Sequence, residues 1–339
     1  MRVMDDVHEN RLLSRWAAAL PRGPRPIHGI HEADAELVPL PSGGLLALTV
    51  DSVAEEIATG LYRSPYTAGR TAAVAALSDL AAAGAEPLGL LLSVGLPAEN
   101  TAAVQGGVAR GVAEACAEAD THVLGGDTGA SPMLTVTCMA AGHVPAEAAR
   151  LRVGLRPGDR LYASGPLGLG SALAAARWLD LGDVFSEADY RPPVRVRVGR
   201  ALRRVASAAM DTSDGLVATL DQLARLNKVR LNVTRPLADL LHEDAARVRE
   251  RAGLSAFTFL AGHHGEFELV FGVAASHEDD LDVAAAQIGW EPLELGRVEE
   301  GEGLVLEGRR VDGARVRNLL GDVNGDVAAY VRGLEALAP

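Results

Sequence analysis

The sequence predicts a mixed α/β (α+β) protein of two domains, each a mixed sheet packed with helices. Three observations predict it. The chain has 339 residues, 48% of them hydrophobic, which is more than one ordinary core. Apolar strand-like runs alternate with Ala-rich helical stretches along most of its length. A polar, loop-like segment at 146–159, AEAARLRVGLRPGD, interrupts the alternation and precedes a fresh strand, LYASG. The boundary falls there, giving domains 1–148 and 149–339.

The elements follow in order. ENRLLSRWAAAL (9–20) reads as a helix with Leu12, Leu13, Trp16 and Leu20 on one face, and a Pro/Gly-rich turn follows at 21–26. AELVPL and LLALTV flank Ser42-Gly43-Gly44 and read as a hairpin, with Asp51 where its second strand ends. Residues 66–83 read as a helix stopped by Gly84, with Asp79 on a side otherwise filled by Ala and Leu. A buried strand (87–97), a second helix (101–119), a short strand into GGDT, and MLTVTCMAAGHV complete the first half. The second half opens as strand, glycine loop and helix in LYASGPLGLGSALAAARW. VRVGRALRRV reads as a helix. AAMDTSDGLVATLDQLARL is an apolar segment entering an acidic turn, with a helix leaving it. RLNVTRPL, FTFLAGHH, FELVFGVA and PLELGRVEE read as later strands.

Bulk composition excludes several classes. Net charge is −13, and no stretch concentrates Lys or Arg enough to neutralise a nucleic-acid backbone. Cys116 and Cys138 have no metal-ligand spacing, form no disulfide framework and read as core residues. The start, MRVMDDVHEN, is acidic where a signal peptide is basic and then apolar. No apolar run approaches the roughly 20 residues that span a bilayer. A soluble cytoplasmic protein, with neither a nucleic-acid nor a membrane partner, is the expectation.

Chemistry is concentrated in short acidic motifs. Asp51 in TVDS, Asp79 in LSD, Asp127 in GGDT, and Asp211 and Asp214 in DTSDG each end or interrupt an apolar run. Two carboxylates about 4 Å apart repel by about 1 kcal/mol in water and about 4 kcal/mol in a partly buried site. Their convergence therefore calls for a cation, and magnesium takes oxygen ligands together with substrate phosphates. Taken singly, each aspartate is equally well read as a cap or a turn former. DTSDG is the strongest motif. Asp211, Ser213 and Asp214 offer three oxygens, Gly215 permits a tight turn, and a helix N-terminus follows. In GGDT, Gly125 and Gly126 permit close backbone approach to a phosphate, and Asp127 can bridge to a metal. GPLGLGSA has the wrong spacing for a dinucleotide fingerprint and reads as a glycine loop lining the site. No nucleophile elbow, Walker motif or kinase signature is present. His263 and His264 read as neighbours at a strand end, pointing to opposite faces. His28 and His31 read as loop residues.

Taken together, the motif order resembles the thiamine-monophosphate kinase family, relatives of aminoimidazole ribonucleotide synthetase, over about 29–271. LTVDSV, AVAALSDLAAAGAEPLGLLLSVGLP, LGGDT, LRVGLRPGDRLYASGPLG and MDTSDGL carry the likeness. The resemblance implies metal binding by Asp51, Asp79, Asp127, Asp211 and Asp214, with Asp127 and Asp214 central to catalysis. It implies nucleotide or phosphate contacts at Gly126, Thr128, Arg152 and Ser213. Magnesium and ATP would be the cofactors, a small phosphorylated molecule the acceptor, and a homodimer paired through its amino-terminal sheets the assembly. The family's G-I-G-D-D-A-A is here Gly29-Ile30-His31-Glu32-Ala33-Asp34-Ala35, which leaves Glu32 and Asp34 as further acidic candidates. Ala76 replaces an Asn before L-S-D, and Gly129-Ala130 replaces T-R after G-G-D-T. His263-His264-Gly265-Glu266-Phe267-Glu268-Leu269 replaces G-G-E-D-Y-E-L and keeps Glu266, and a carboxyl-terminal G-W-x-H-F is missing. Two rival readings remain: an ATP-using relative that activates an amide or carboxylate oxygen, and a non-catalytic nucleotide-binding paralogue.

Overall fold

The computed structural model describes residues 4–339 apart from Arg22, Pro24, Arg25 and Asn100. The first half contains α1 (His8–Ala19), β1 (Glu36–Pro39), β2 (Leu45–Ser52), α2 (Ala54–Ala58), α3 (Pro65–Ala82), β3 (Glu86–Leu96), α4 (Thr101–Glu118), β4 (Val123–Ala130) and β5 (Thr135–Val144). The second half contains β6 (Arg160–Ala163), α5 (Leu169–Trp178), α6 (Val196–Leu202), β7 (Ala206–Asp211), α7 (Leu216–Asn227), β8 (Arg230–Val233), α8 (Glu243–Ala252), α9 (Ala256–Ala261) and β9 (Leu269–Val273). It ends with α10 (Glu278–Ile288), β10 (Leu293–Glu299), β11 (Gly303–Leu306), β12 (Arg309–Val311), α11 (Gly313–Asp322) and α12 (Val327–Leu337). The first half forms one sheet, ordered β1-β2-β5-β3-β4, and the second half another, ordered β12-β11-β8-β10-β6-β9-β7. This is the mixed α/β architecture that the sequence predicts.

Helix α3 is the pillar between the halves. Ser64 caps it by accepting from Thr67 N–H, Pro65 opens it, and Gly84, at φ +69°, follows its end. Almost every residue from Thr67 to Ala82 is buried, because alanines and glycines let neighbours approach closely. A Cβ at Gly111 on α4 would overlap the Tyr66 carbonyl oxygen, and one at Gly199 on α6 would overlap that of Ala81. The helix lies on the first sheet and also touches α6 and β7 of the second half. Asp79 is thereby held where the two halves meet.

Two expectations are corrected. FTFLAGHH contains no strand: residues Ala256–Ala261 form α9, because Ser255 caps Thr258 N–H and Glu335 on α12 accepts from Ser255 and Thr258. The Phe-Thr-Phe alternation imitates a strand, and the cap overrides it. His263 and His264 therefore lie in the loop after α9, not at a strand end. The apolar face of α1 points outward, with Trp16 62% and Leu12 55% exposed. The inner face is polar: Asn10 is buried and bonds Gln222 on α7 and Arg317 on α11. The turn at 21–26 lies partly outside the described residues. Cys116 and Cys138 are buried, free thiols. Among the described residues, no helix is long and apolar enough to cross a membrane.

Candidate metal and nucleotide site

Four segments deliver carboxylates to one cleft. Asp34 stands on the loop before β1, Asp51 near the end of β2, Asp79 in the last turns of α3, and Asp211 at the end of β7. Asp34, Asp79 and Asp211 each present an oxygen, and these atoms lie within 4.8 Å of one another. Asp51 shares a hydrogen bond with Asp79 and feels the charges of Asp214 and Asp34. Its Oδ2 is buried without a partner. Asp214 follows in the turn between β7 and α7. Asp34, which the motifs leave at the margin, is thus at the centre of the cluster.

The surroundings hold these groups in place. Thr49, two residues before Asp51 on the same face of β2, donates to Asp79 Oδ2. Motif reading misses Thr49, although its strand periodicity with Asp51 is visible. Ser213 Oγ donates to Asp211 Oδ1 at 3.0 Å, and Asp211 N–H donates to Asp34 Oδ1 at 3.4 Å. Arg152 pairs with Asp34 at 2.9 Å, while its Nε is buried and unpartnered. Glu32 accepts from Gly29 N–H at 2.6 Å and is not one of the three clustered carboxylates. His31 adopts φ +70°, a left-handed conformation that favours glycine, which explains the Gly that the family carries there.

Charge states follow from burial and crowding. Burial, then Asp214 and Asp34, pushes Asp51 up to about 6. Burial, then Asp34, pushes Asp211 up to about 7. Asp79 is driven well above the usual carboxylate range by burial and by Asp51, Asp211 and Asp34. Burial opposes the Arg152 charge, but Asp34, Asp211 and Asp79 outweigh it and hold the guanidinium firmly protonated. One arginine thus partly neutralises a cleft built for more positive charge. A hard divalent cation fits this donor set: oxygens of Asp34, Asp79 and Asp211 lie within coordinating reach, and the orphaned Asp51 Oδ2 is in the same cleft.

Asp127 stands apart. Asp51, Cys138, Leu92 and Gly126 form one row across four adjacent strands. At about 4.8 Å per strand, Gly126 is roughly 14 Å from Asp51. Asp127 lies in the next row, with Ser93, Thr137 and Ser52, and therefore faces the opposite side of the sheet. Gly125, Gly126, Asp127 and Thr128 all border a cavity of about 260 Å³ between β4 and α4.

The glycine loop does not offer its amides to a ligand. Glu266 accepts hydrogen bonds from Gly168, Leu169, Gly170 and Ser171 N–H, so it caps α5 and fills the anion position at that helix start. Burial pushes Glu266 up to about 7 against those four bonds. Glu268 is likewise committed, to Arg195 at 2.5 and 2.7 Å and to Ser164. His264 is buried between Trp178 and Tyr330, and burial, then His263, pushes it down to about 3, so it is neutral. His28 is structural: Leu37 N–H donates to its Nε2, and its Nδ1 bonds Gly29 O.

Known proteins resemble this chain in sequence and in fold. Residues 32–144 match the family model "AIR synthase related protein, N-terminal domain". Thiamine-monophosphate kinase of Caulobacter vibrioides is 33% identical over 84% of this chain and 82% of its own length. The enzyme of that name from Halobacterium salinarum is 33% identical over 80% of this chain and 88% of its own. The solved structure "AaThiL complexed with AMPPCP and TMP" shares the fold, with a TM-score of 0.74, 24% identity, and coverage of 92% of this chain and 97% of that one. The chain belongs to the thiamine-monophosphate kinase family.

Proposed function

We propose that this protein transfers the γ-phosphoryl group of ATP to thiamine monophosphate in a magnesium-dependent reaction, giving thiamine diphosphate and ADP. The observation that carries the reading is the convergence of Asp34, Asp79 and Asp211, with Asp51 and Asp214 adjoining, in a chain of this family. Two relatives named thiamine-monophosphate kinase and a neighbour described with AMPPCP and TMP supply the substrates of the proposal.

Magnesium, when bound, neutralises phosphate charge and fixes the phosphate oxygens. The chain's own residues supply the rest. Asp34, Asp79 and Asp211 hold the cation position, Asp51 and Asp214 extend it, and Thr49 and Ser213 orient Asp79 and Asp211. Arg152, with its free Nε, meets a phosphate from the side of Asp34. A phosphate monoester is already an anionic nucleophile near neutral pH, so positioning and charge neutralisation suffice without a strong base. The buried His264 is neutral and packs between Trp178 and Tyr330 rather than against the clustered carboxylates.

Two copies pair through the open face of the first sheet, where Val50, Met139 and Leu91 form an exposed apolar row. Asp127 shares that face, so pairing puts it beside the second copy, where it serves the phosphates of a site near the interface. Residues 1–148 supply this pairing face and half of the cation site, and residues 149–339 complete it. The reaction is cytoplasmic. Incubation with ATP, magnesium and thiamine monophosphate, followed by chromatography, tests the reading. Thiamine diphosphate appears with magnesium and vanishes with a chelator. Absence of product under both conditions overturns it.

A further inference from the structure

Residues 180–193, the polar stretch between α5 and α6, reach from the second half back to the start of α3 in the first. Three contacts fasten them there. Glu187 accepts from Ser64 N–H at 2.8 Å and Arg63 N–H at 3.1 Å, and it holds Arg177 at 2.8 Å. Pro192 O accepts from Arg70 on α3 at 3.0 Å. Tyr190 stacks on Tyr62, with ring centroids 6.0 Å apart. Both rings are buried. The backbone amides before α3 need acceptors, and Glu187 supplies them, which is why so polar a stretch settles on the first half.

The two phenols do more than pack. Tyr190 OH donates to Gly265 O at 2.8 Å. A carbonyl only accepts, so the Tyr190 oxygen accepts in turn from Tyr62 OH, its other hydrogen-bond partner. Gly265 adopts φ +73°, and a Cβ there would come within 3.3 Å of Tyr62 OH. Its N–H donates to Ser213 O at 3.0 Å, and Ser213 Oγ donates to Asp211 Oδ1. Hydrogen bonds thus pass residue to residue from Tyr62, in the first half, through Tyr190 and Gly265 to the acidic turn in the second. At its other end, Tyr62 N–H donates to Glu56 O on α2 at 3.2 Å. The Glu56 carboxylate is pushed up by burial and by the charges of Glu55, Asp214 and Asp51, so α2 also borders the cleft. Burial drives both phenols far above their ordinary range, and they serve as hydrogen-bonding groups rather than as acid or base.

Resting on the kinase reading, we propose that Tyr190 and Tyr62 are positioning residues for phosphoryl transfer, which act through Gly265 to set the Ser213–Asp214 turn against Asp51 and Asp79. Neither phenol is among the clustered carboxylates. The cleft lies where the two halves meet, so its geometry depends on how they are registered. Apolar packing is non-directional, whereas a hydrogen bond prefers one distance and one angle. A buried hydroxyl pair therefore fixes the register more sharply than two apolar rings would. A misplacement of about 1 Å in such a site costs up to about a hundredfold in rate.

The test separates positioning from fastening. Tyr190→Phe keeps the ring stack and removes the donor to Gly265 O. Glu187→Gln weakens the fastening and leaves the Tyr190–Gly265 bond in place. Both are compared with wild type in thermal melts, in calorimetric titration of a non-hydrolysable ATP analogue with magnesium, and in turnover against magnesium concentration. In Tyr190→Phe, the Kd of the analogue and the magnesium needed for half-maximal rate should each rise at least fivefold, with the KM for thiamine monophosphate within twofold. Tyr62→Phe removes only the outer link and should give a smaller rise. Glu187→Gln should lower Tm while Kd stays within twofold. A Kd and a magnesium requirement within twofold of wild type in Tyr190→Phe overturn the positioning role and leave the kinase reading standing. An equal rise in Glu187→Gln and Tyr190→Phe reduces the pair to fastening and overturns it too. Wild type that neither turns over nor binds the analogue overturns the kinase reading, and this inference with it.

Discussion

At the residue scale, the acidic cleft is a set of charges whose stability depends on what fills it. Asp51, pushed up to about 6, and Asp211, pushed up to about 7, have folded-state pKa values above the ordinary carboxylate value. Their contribution to stability is full below about pH 4 and is lost as pH rises through 6 and 7. Metal-free protein should therefore lose several degrees of Tm between about pH 5.5 and 7.5, and saturating magnesium should abolish that loss. Calorimetric melts across that range, with and without magnesium, check this; a metal-free Tm that rises with pH contradicts it. The Asp79→Asn variant should show the same tension from the other side. Metal-free at pH 8 it should gain roughly 1–3 kcal/mol in denaturant unfolding, through relief of repulsion. Its turnover should fall by at least a hundredfold, measured in the same preparation.

At the element scale, two helix starts carry much of the architecture. Glu266 accepts from four amides at the N-terminus of α5. Glu266→Ala should cost about 2–4 kcal/mol in urea unfolding, since it strands buried donors; a loss under 0.5 kcal/mol would refute that role. The same contact explains why the glycine loop was misleading as a sequence motif. Its spacing shows where the backbone can approach an anion, and Glu266, nearly 100 positions away, is the anion. Residues with local causes were legible: the Gly84 stop, the hairpin at Ser42-Gly43-Gly44, and the strand–turn–helix around DTSDG. Those decided by distant partners were not. The apolar stripe of α1 reads correctly as a stripe, but Asn10, Gln222 and Arg317 turn it outward. The alternation in α9 is overruled by a cap shared with Glu335. Asp34 stands in a stretch that departs from the family's G-I-G-D-D-A-A, and only the approach of α3 and β7 makes it central.

At the scale of the whole molecule, α3 joins two sheets whose contact creates the cleft, and the open face of the first sheet remains exposed. Val50 is 64% exposed there, in a row with Met139 and Leu91. Val50→Glu should convert a dimer to a monomer by light scattering, with little change in the far-ultraviolet circular dichroism; wild type that is already monomeric contradicts the pairing. Gathering the carboxylates serves one purpose in this account, to hold a magnesium-bound nucleotide between the halves. Calorimetric titration of a non-hydrolysable ATP analogue into wild type and Asp211→Asn, with and without magnesium, tests that purpose most directly. Binding should require magnesium and weaken at least tenfold in the variant. Equal affinity in all four titrations would mean that the cleft is not the nucleotide site.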